Sequence, residues 1–307
     1  MTATQHTTRS PVTPSQKVRA FVALTKPRVV ELLLITAVPV MFLAAGGVPN
    51  LLTIAATLVG GFLSAGSANA FNMVIDRDID AVMERTKNRP LVTGVLSVRE
   101  AKVFAWALAL VSTVVLLAFT TWLAVVFSVA AIAFYIFIYT LLLKRRTEQN
   151  IVWGGIAGCF PVLIGWTAVT GTLSWAPIIL FVLVFLWTPA HYWPLSMKYR
   201  DDYEAADVPM LAVVRGRSTV GLQVILYAWA SAACTLLLIP VASMGIVYSV
   251  IALAGGIWFV TEAHGLYARA LRGERDVRAM RVFHASNTYL TLVFLAVGID
   301  PLLRFSL

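Results

Sequence analysis

The sequence is poor in charge. Asp, Glu, Lys and Arg together make up 13% of its 307 residues, about half the share of an ordinary soluble domain. That excludes the solvated surface that one or two soluble domains of this length would need. Cysteine is scarce as well. Cys159 and Cys234 stand far apart inside apolar runs, with no CxxC and no Cys/His metal spacing. A disulfide framework and a thiolate metal site are excluded, and both residues read as small apolar packing groups. GxSxG, HExxH and Walker A sequences are missing too, so nothing points to a covalent nucleophile, a zinc hydrolase or a nucleotide cradle. The first residues lack the apolar centre of a secretory signal. Residues 1–20, rich in Thr, Ser and Pro, read as a disordered cytoplasmic tail. A single transmembrane domain is expected over 21–307.

Apolar residues are abundant: 59% of the chain, with 24 Lys and Arg against 15 Asp and Glu. The mean hydropathy is +0.82. A net charge of +9 raises nucleic acid as a partner. Uncharged runs of this length exclude it and leave membrane lipid instead. A span needs about 20 apolar residues at roughly 1.5 Å rise each. Nine fit, at about 29–48, 51–75, 103–120, 122–143, 151–171, 174–197, 219–240, 243–263 and 282–299. Residues 103–143 carry no charge. They are too many for one span and divide near Thr120 and Thr121.

The basic residues test this count. All but one of the 24 Lys and Arg fall in the tail or in the connections over 77–102, 144–146, 198–217 and 269–281. The exception is Arg304. With nine spans these segments share one side, which the positive-inside rule makes cytoplasmic. The expected fold is an all-α polytopic membrane protein, nine transmembrane helices around a central cavity. Its N-terminus and the mouth of the cavity would face the cytoplasm across a bacterial-type plasma membrane, with the C-terminus outside.

At the end of the second span stands "NMVIDRDID". Asn72, Asp76 and Asp80 are spaced i, i+4, i+8, which is one stripe of a helix. Like charges at that spacing repel. A divalent cation between them would remove the conflict, and oxygen ligands suit Mg²⁺ completed by substrate phosphate. "MERTKNRPL" follows, with Arg85, Lys87 and Arg89. It is either a solvated loop near anionic headgroups or a cationic lid for a polyanion.

"NMVIDRDIDAVMERTKNRPL", "YTLLLKRRTEQNIVWGGIAGCFPVLIGW" and "WTPAHYWPLSMKYRDDYEAADVPML" together resemble the UbiA superfamily of intramembrane prenyltransferases, and within it the haem branch. The resemblance covers about residues 20–300. It implies transfer of a farnesyl group from farnesyl diphosphate to a vinyl group of protohaem IX (haem B), giving haem O, with Mg²⁺ as cofactor. Asn72, Asp76, Asp80 and Asp202 are the catalytic candidates, and Asp76, Asp80 and Asp202 the metal ligands. Arg85, Lys87, Arg89, Tyr139, Lys144 and Lys198 would bind diphosphate. A haem A synthase or a terminal oxidase is the candidate protein partner.

The chain departs from the superfamily at the second acidic cluster, where Lys198 and not an acid stands four before Asp202. Asp201 and Asp207 are further members of that cluster. Tyr139 and Lys144 also fit an interfacial aromatic and a positive-inside anchor. Asn150 either caps the fifth span or lines the mouth. His191 is the titratable side chain of a long apolar stretch. It is either a porphyrin contact or a neutral imidazole bonded to a carbonyl freed by a nearby proline. Two other readings share parts of this pattern: a UbiA-type enzyme with another aromatic or tetrapyrrole acceptor, and a cation transporter. Transporters usually place such acids at the bilayer midplane, whereas both clusters here fall at one edge.

Overall fold

The computed structural model describes residues 12–303, with the side chains of 28–34 set apart. Residues 1–11 of the tail, and Arg304, lie outside the described residues. The chain runs α1 (Pro14–Thr25), α2 (Pro27–Ala45), α3 (Leu51–Ile75), α4 (Arg77–Val82), α5 (Val98–Phe119) and α6 (Trp122–Ala133), which continues as a π-helix over Phe134–Leu143. Then come α7 (Asn150–Gly154), a 3₁₀ turn over Gly155–Cys159, α8 (Phe160–Thr170), α9 (Trp175–Lys198), α10 (Arg200–Ala205) and α11 (Leu211–Val214). The last three are α12 (Arg217–Val241), α13 (Ile246–Leu271) and α14 (Ala279–Leu303). Among the described residues there is no strand.

Every expected span is helical. Among the described residues eight helices are long and apolar enough to cross a membrane, and the apolar stretch Ile35–Ala45 of α2 supplies a shorter one. The protein is an integral membrane protein. Its outer surface is apolar, with Trp106, Trp122, Leu117 and Ile246 among the exposed side chains. α9, α12, α13 and α14 pack around Trp193, Tyr248, Phe259, Tyr289 and Phe294. Small residues let helices approach closely: the backbone carbonyl of Ala37 lies 2.6 Å from where a Cβ on Gly165 would stand.

One expectation fails. Residues from Pro14 onward are helical, not a disordered tail. Thr13 and Gln16 form a reciprocal capping box, with Gln16 N–H donating to the Thr13 hydroxyl at 3.3 Å and Thr13 N–H to Gln16 Oε1 at 2.8 Å. Pro14 occupies the first turn, where its missing N–H is harmless. Lys17 then pairs with Glu100 at 2.7 Å.

The basic segments meet at one end of the bundle. Lys17 pairs with Glu100, Arg145 reaches Asp78, Arg215 pairs with Glu148, and Arg217 donates to the carbonyls of Glu274 and Arg275. These bonds join all five segments that topology assigned to one side.

Candidate active site

The acidic stripe forms as its spacing predicts, but across a turn. α3 ends at Ile75 and Asp76 links it to α4. The i→i−4 ladder survives, with Asp76 N–H donating to Asn72 at 2.8 Å and Asp80 N–H to Asp76 at 2.8 Å. All three side chains are buried.

Basic side chains neutralise the two carboxylates. Lys144 is ion-paired with Asp76 Oδ2, and Arg145 Nη2 stands 3.5 Å from Asp76 Oδ1. Arg89 donates from Nη1 to both oxygens of Asp80, at 2.7 and 2.6 Å. Removing one partner of such a buried pair leaves a charge uncompensated, at a cost of roughly 3–5 kcal/mol. The repulsion read from sequence is thus relieved by cations of the chain itself.

Asn72 is fixed from both ends. Its Nδ2 donates to Asp76 Oδ2 at 2.7 Å and to the Thr140 hydroxyl at 3.2 Å, while its Oδ1 accepts from Lys26 Nζ at 2.9 Å. Lys26 stands between α1 and α2 in a left-handed conformation, φ 50°. Pro27 follows and disfavours the α region for the residue before it. That kink turns the amine inward. Burial, then Arg89 and Lys144, push the Lys26 ammonium down to about 7. Nearby, the Arg145 hydrogen bond holds the Asp78 carboxyl down at about 2.

The π-helix positions the next residues. Tyr135 and Lys144 are nine apart, half a turn out of phase in an α-helix at 3.6 residues per turn. With i→i+5 bonding and roughly 4.4 residues per turn, they fall on nearly one face. Thr140 donates to the Tyr135 carbonyl at 2.8 Å, and Lys144 N–H to that of Tyr139 at 2.9 Å. The Tyr139 ring packs against that of Tyr135, with centroids 5.3 Å apart and planes tilted by 34°. It also lies flush on Gly154, where any Cβ would overlap it.

The basic loop after α4 is clasped at two points. Asp202 accepts the backbone N–H groups of Glu84 and Arg85, each at 3.3 Å. Thr86 donates to the Asp80 carbonyl at 3.0 Å. Arg85 lies 5.5 Å over the Tyr199 ring, beside Tyr203, whose hydroxyl is 2.8 Å from that of Tyr192. Lys87 turns outward to Glu84 at 2.5 Å. Lys198 is exposed, its Nζ 5.8 Å from the Tyr199 ring. Asp201 and Asp207 are exposed, and among the described residues neither joins the ion-pair network. Asn150 is buried and ties Thr147 to Pro209, donating at 2.7 and 3.5 Å.

The residues therefore assemble in two groups: Lys26, Asn72, Asp76, Asp80, Arg89, Thr140, Lys144 and Arg145 in one, and Arg85, Tyr192, Tyr199, Asp202 and Tyr203 in the other. The 83–89 loop joins them. Lys26, Thr140 and Arg145 were not singled out by sequence reasoning.

The UbiA prenyltransferase family profile matches residues 33–287. The chain belongs to that family. It is 67% identical over 297 residues to a protoheme IX farnesyltransferase of Clavibacter michiganensis subsp. michiganensis, covering 97% of each chain. It is also 67% identical over 291 residues to one of Leifsonia xyli subsp. xyli, covering 95% of this chain and 94% of the other. The fold matches a UbiA homologue of Archaeoglobus fulgidus solved with DMAPP and Mg²⁺, at TM-score 0.67 and 15% identity, over 91% of this chain and 99% of that one.

The side chains accommodate a magnesium ion at one carboxylate. Among the described residues no three His, Cys, Asp or Glu gather as a ready-made cage. Mg²⁺ does not require one, since it commonly takes one or two carboxylates and completes its shell with water and phosphate oxygens. Asp76 Oδ1 is buried and accepts no hydrogen bond. It is a carboxylate oxygen with a free lone pair, of the kind that Mg²⁺ takes.

Proposed function

We infer that the protein transfers the farnesyl group of farnesyl diphosphate to a vinyl group of protohaem IX, giving haem O and diphosphate. One observation carries the reading. Asp76, with an open carboxylate oxygen, lies buried among Lys26, Arg89, Lys144 and Arg145 at the basic end of an apolar bundle. That suits a diphosphate head joined to a hydrocarbon tail. The haem acceptor follows from the relatives named for that reaction at 67% identity.

Lys26, Arg85, Arg89, Lys144 and Arg145 would bind the diphosphate and stabilise the negative charge that grows on it as the C1–O bond breaks. Asp76 would hold Mg²⁺, which supplies Lewis-acid stabilisation of the same charge. Arg89 already occupies both oxygens of Asp80, so Asp80 serves by placing that guanidinium. Asp202 holds the loop backbone and, through it, Arg85. Tyr135, Tyr139 and Tyr192 would line the approach to the apolar interior, where aromatic faces stabilise an allylic cation and water is kept away. The electron pair of C1–O leaves with diphosphate. The outer vinyl carbon bonds C1, and water adds to the carbon next to the ring and loses a proton. The mouth faces the cytoplasm of a bacterial-type plasma membrane, by the charge asymmetry of the connections.

Asp76→Ala tests this. Membranes containing the native protein yield haem O on extraction. The variant, inserted and monodisperse in detergent, yields none. Full activity in the variant would remove the carboxylate from the mechanism.

A further inference from the structure

His191 lies between two rings. Trp187 stacks on one face at 4.2 Å with planes 14° apart, and Phe283 on the other at 4.5 Å and 29°. Trp187 is itself held, its Nε1 donating to the Ser286 carbonyl at 2.8 Å. The imidazole plane is therefore fixed by α9 and α14 together.

The hydrogen bonds select one tautomer when Ser286 turns its proton to the backbone. His191 Nδ1 is 2.8 Å from Ser286 Oγ. A hydroxyl has one proton to give, and Ser286 gives it to the Phe283 carbonyl at 2.7 Å. In that arrangement Ser286 accepts at the imidazole, and Nδ1–H donates. In a neutral ring Nε2 then carries the lone pair. Among the described residues nothing hydrogen-bonds to Nε2. The ring bonds α14, not a carbonyl freed within α9 by Pro189 or Pro194, which is what a proline-satisfying histidine would do.

A neutral imidazole with one nitrogen donating to the protein and the other bare is the arrangement of a metal-ligating histidine. His191 is seven residues before Lys198 on one continuous helix. It lies on the order of 10 Å deeper and on nearly the same face. An iron held there places the porphyrin below the diphosphate mouth. The geometry points to His191 Nε2 as the axial ligand of the acceptor's haem iron, an inference that rests on haem being the acceptor. Ser286 is then a positioning residue that keeps the lone pair on Nε2.

The test needs no prenyl transfer. The purified protein in nanodiscs is titrated with ferric haem B, without farnesyl diphosphate, and followed by Soret absorption and electron paramagnetic resonance. Native protein gives a histidine-ligated iron. His191→Ala removes that signature, added imidazole restores it, and half-saturation moves up by at least about tenfold. Ser286→Ala keeps the ligand but weakens binding about tenfold; it decides the matter should His191→Ala not fold. Native protein whose haem spectrum lacks a histidine ligand overturns the inference. So does a His191→Ala spectrum equal to the native one, or unchanged binding in Ser286→Ala. Histidine ligation without haem O formation on adding farnesyl diphosphate would sink the proposed reaction alone. Haem O formation with no histidine ligation would sink this inference alone.

Discussion

Arg85 is held twice by the segment that follows α9. Its backbone N–H donates to Asp202 at 3.3 Å, and its guanidinium lies 5.5 Å over the ring of Tyr199. The second acidic cluster thus acts on the first through the loop between them. Asp202 binds peptide N–H groups, the bonding a carboxylate offers a loop that must stay closed.

Asp202→Ala therefore opens the loop. Amide exchange over residues 83–89 quickens and transfer slows by at least about tenfold, as expected for a lost hydrogen bond to a charged group of roughly 1.5–3 kcal/mol. Asp202→Asn keeps an accepting oxygen and retains more activity than the alanine variant. Equal loss in both, with a raised magnesium requirement, would make Asp202 a metal ligand instead.

Lys26 gives the site a pH dependence. Its ammonium, outside the membrane-spanning segments, is lowered to about 7 by burial and by Arg89 and Lys144. Below pH 7 it is charged and above it neutral. A bound polyanion favours the charged form and raises the pKa, so binding above pH 7 takes up a proton. Affinity for inorganic diphosphate then falls as pH rises past 7, by up to about tenfold per unit. Calorimetry at pH 7.5–8 (roughly one half to one unit above that pKa) in buffers of different ionisation enthalpy would show the uptake, and Lys26→Arg would abolish it. Uptake unchanged in Lys26→Arg would assign the proton elsewhere.

The spans were legible because a bilayer demands about 20 apolar residues per crossing and the basic residues sort by side. The Asn72–Asp76–Asp80 stripe was legible because four-residue spacing is helical. The π-helix was not: Phe134–Leu143 is apolar on every side, so no periodicity marks its register. Lys26 was hidden among tail cations, because its role depends on a left-handed kink and a contact with Asn72 across helices. The capping box of α1 was present in "TPSQ", but composition outweighed it.

The far end of the bundle offers a stability test apart from the chemistry. Asp300 of α14 accepts the N–H of Gly245 at 2.8 Å and that of Tyr248 at 3.4 Å. It caps α13 from a neighbouring helix. Asp300→Ala removes the cap and lowers stability by about 1–2 kcal/mol. Thermal unfolding in detergent reads the loss, while the kinetic constants for both substrates stay at native values in the cold.

Gly154 offers the reverse, a change in activity without touching a substrate. The Tyr139 ring occupies the space where a Cβ on Gly154 would stand, and Tyr139 sits on the same π-helix that presents Thr140 to Asn72 and Lys144 to Asp76. Gly154→Ala must move the ring, because α7 is short and packed against α9. A shift of 1 Å in a positioned group costs up to about 100-fold. The variant should lose kcat while inserting normally, and Tyr139→Ala in the same chain should recover part of it by relieving the overlap. If Gly154→Ala keeps native kcat, the ring is free to move and Tyr139 does not set the position of Lys144.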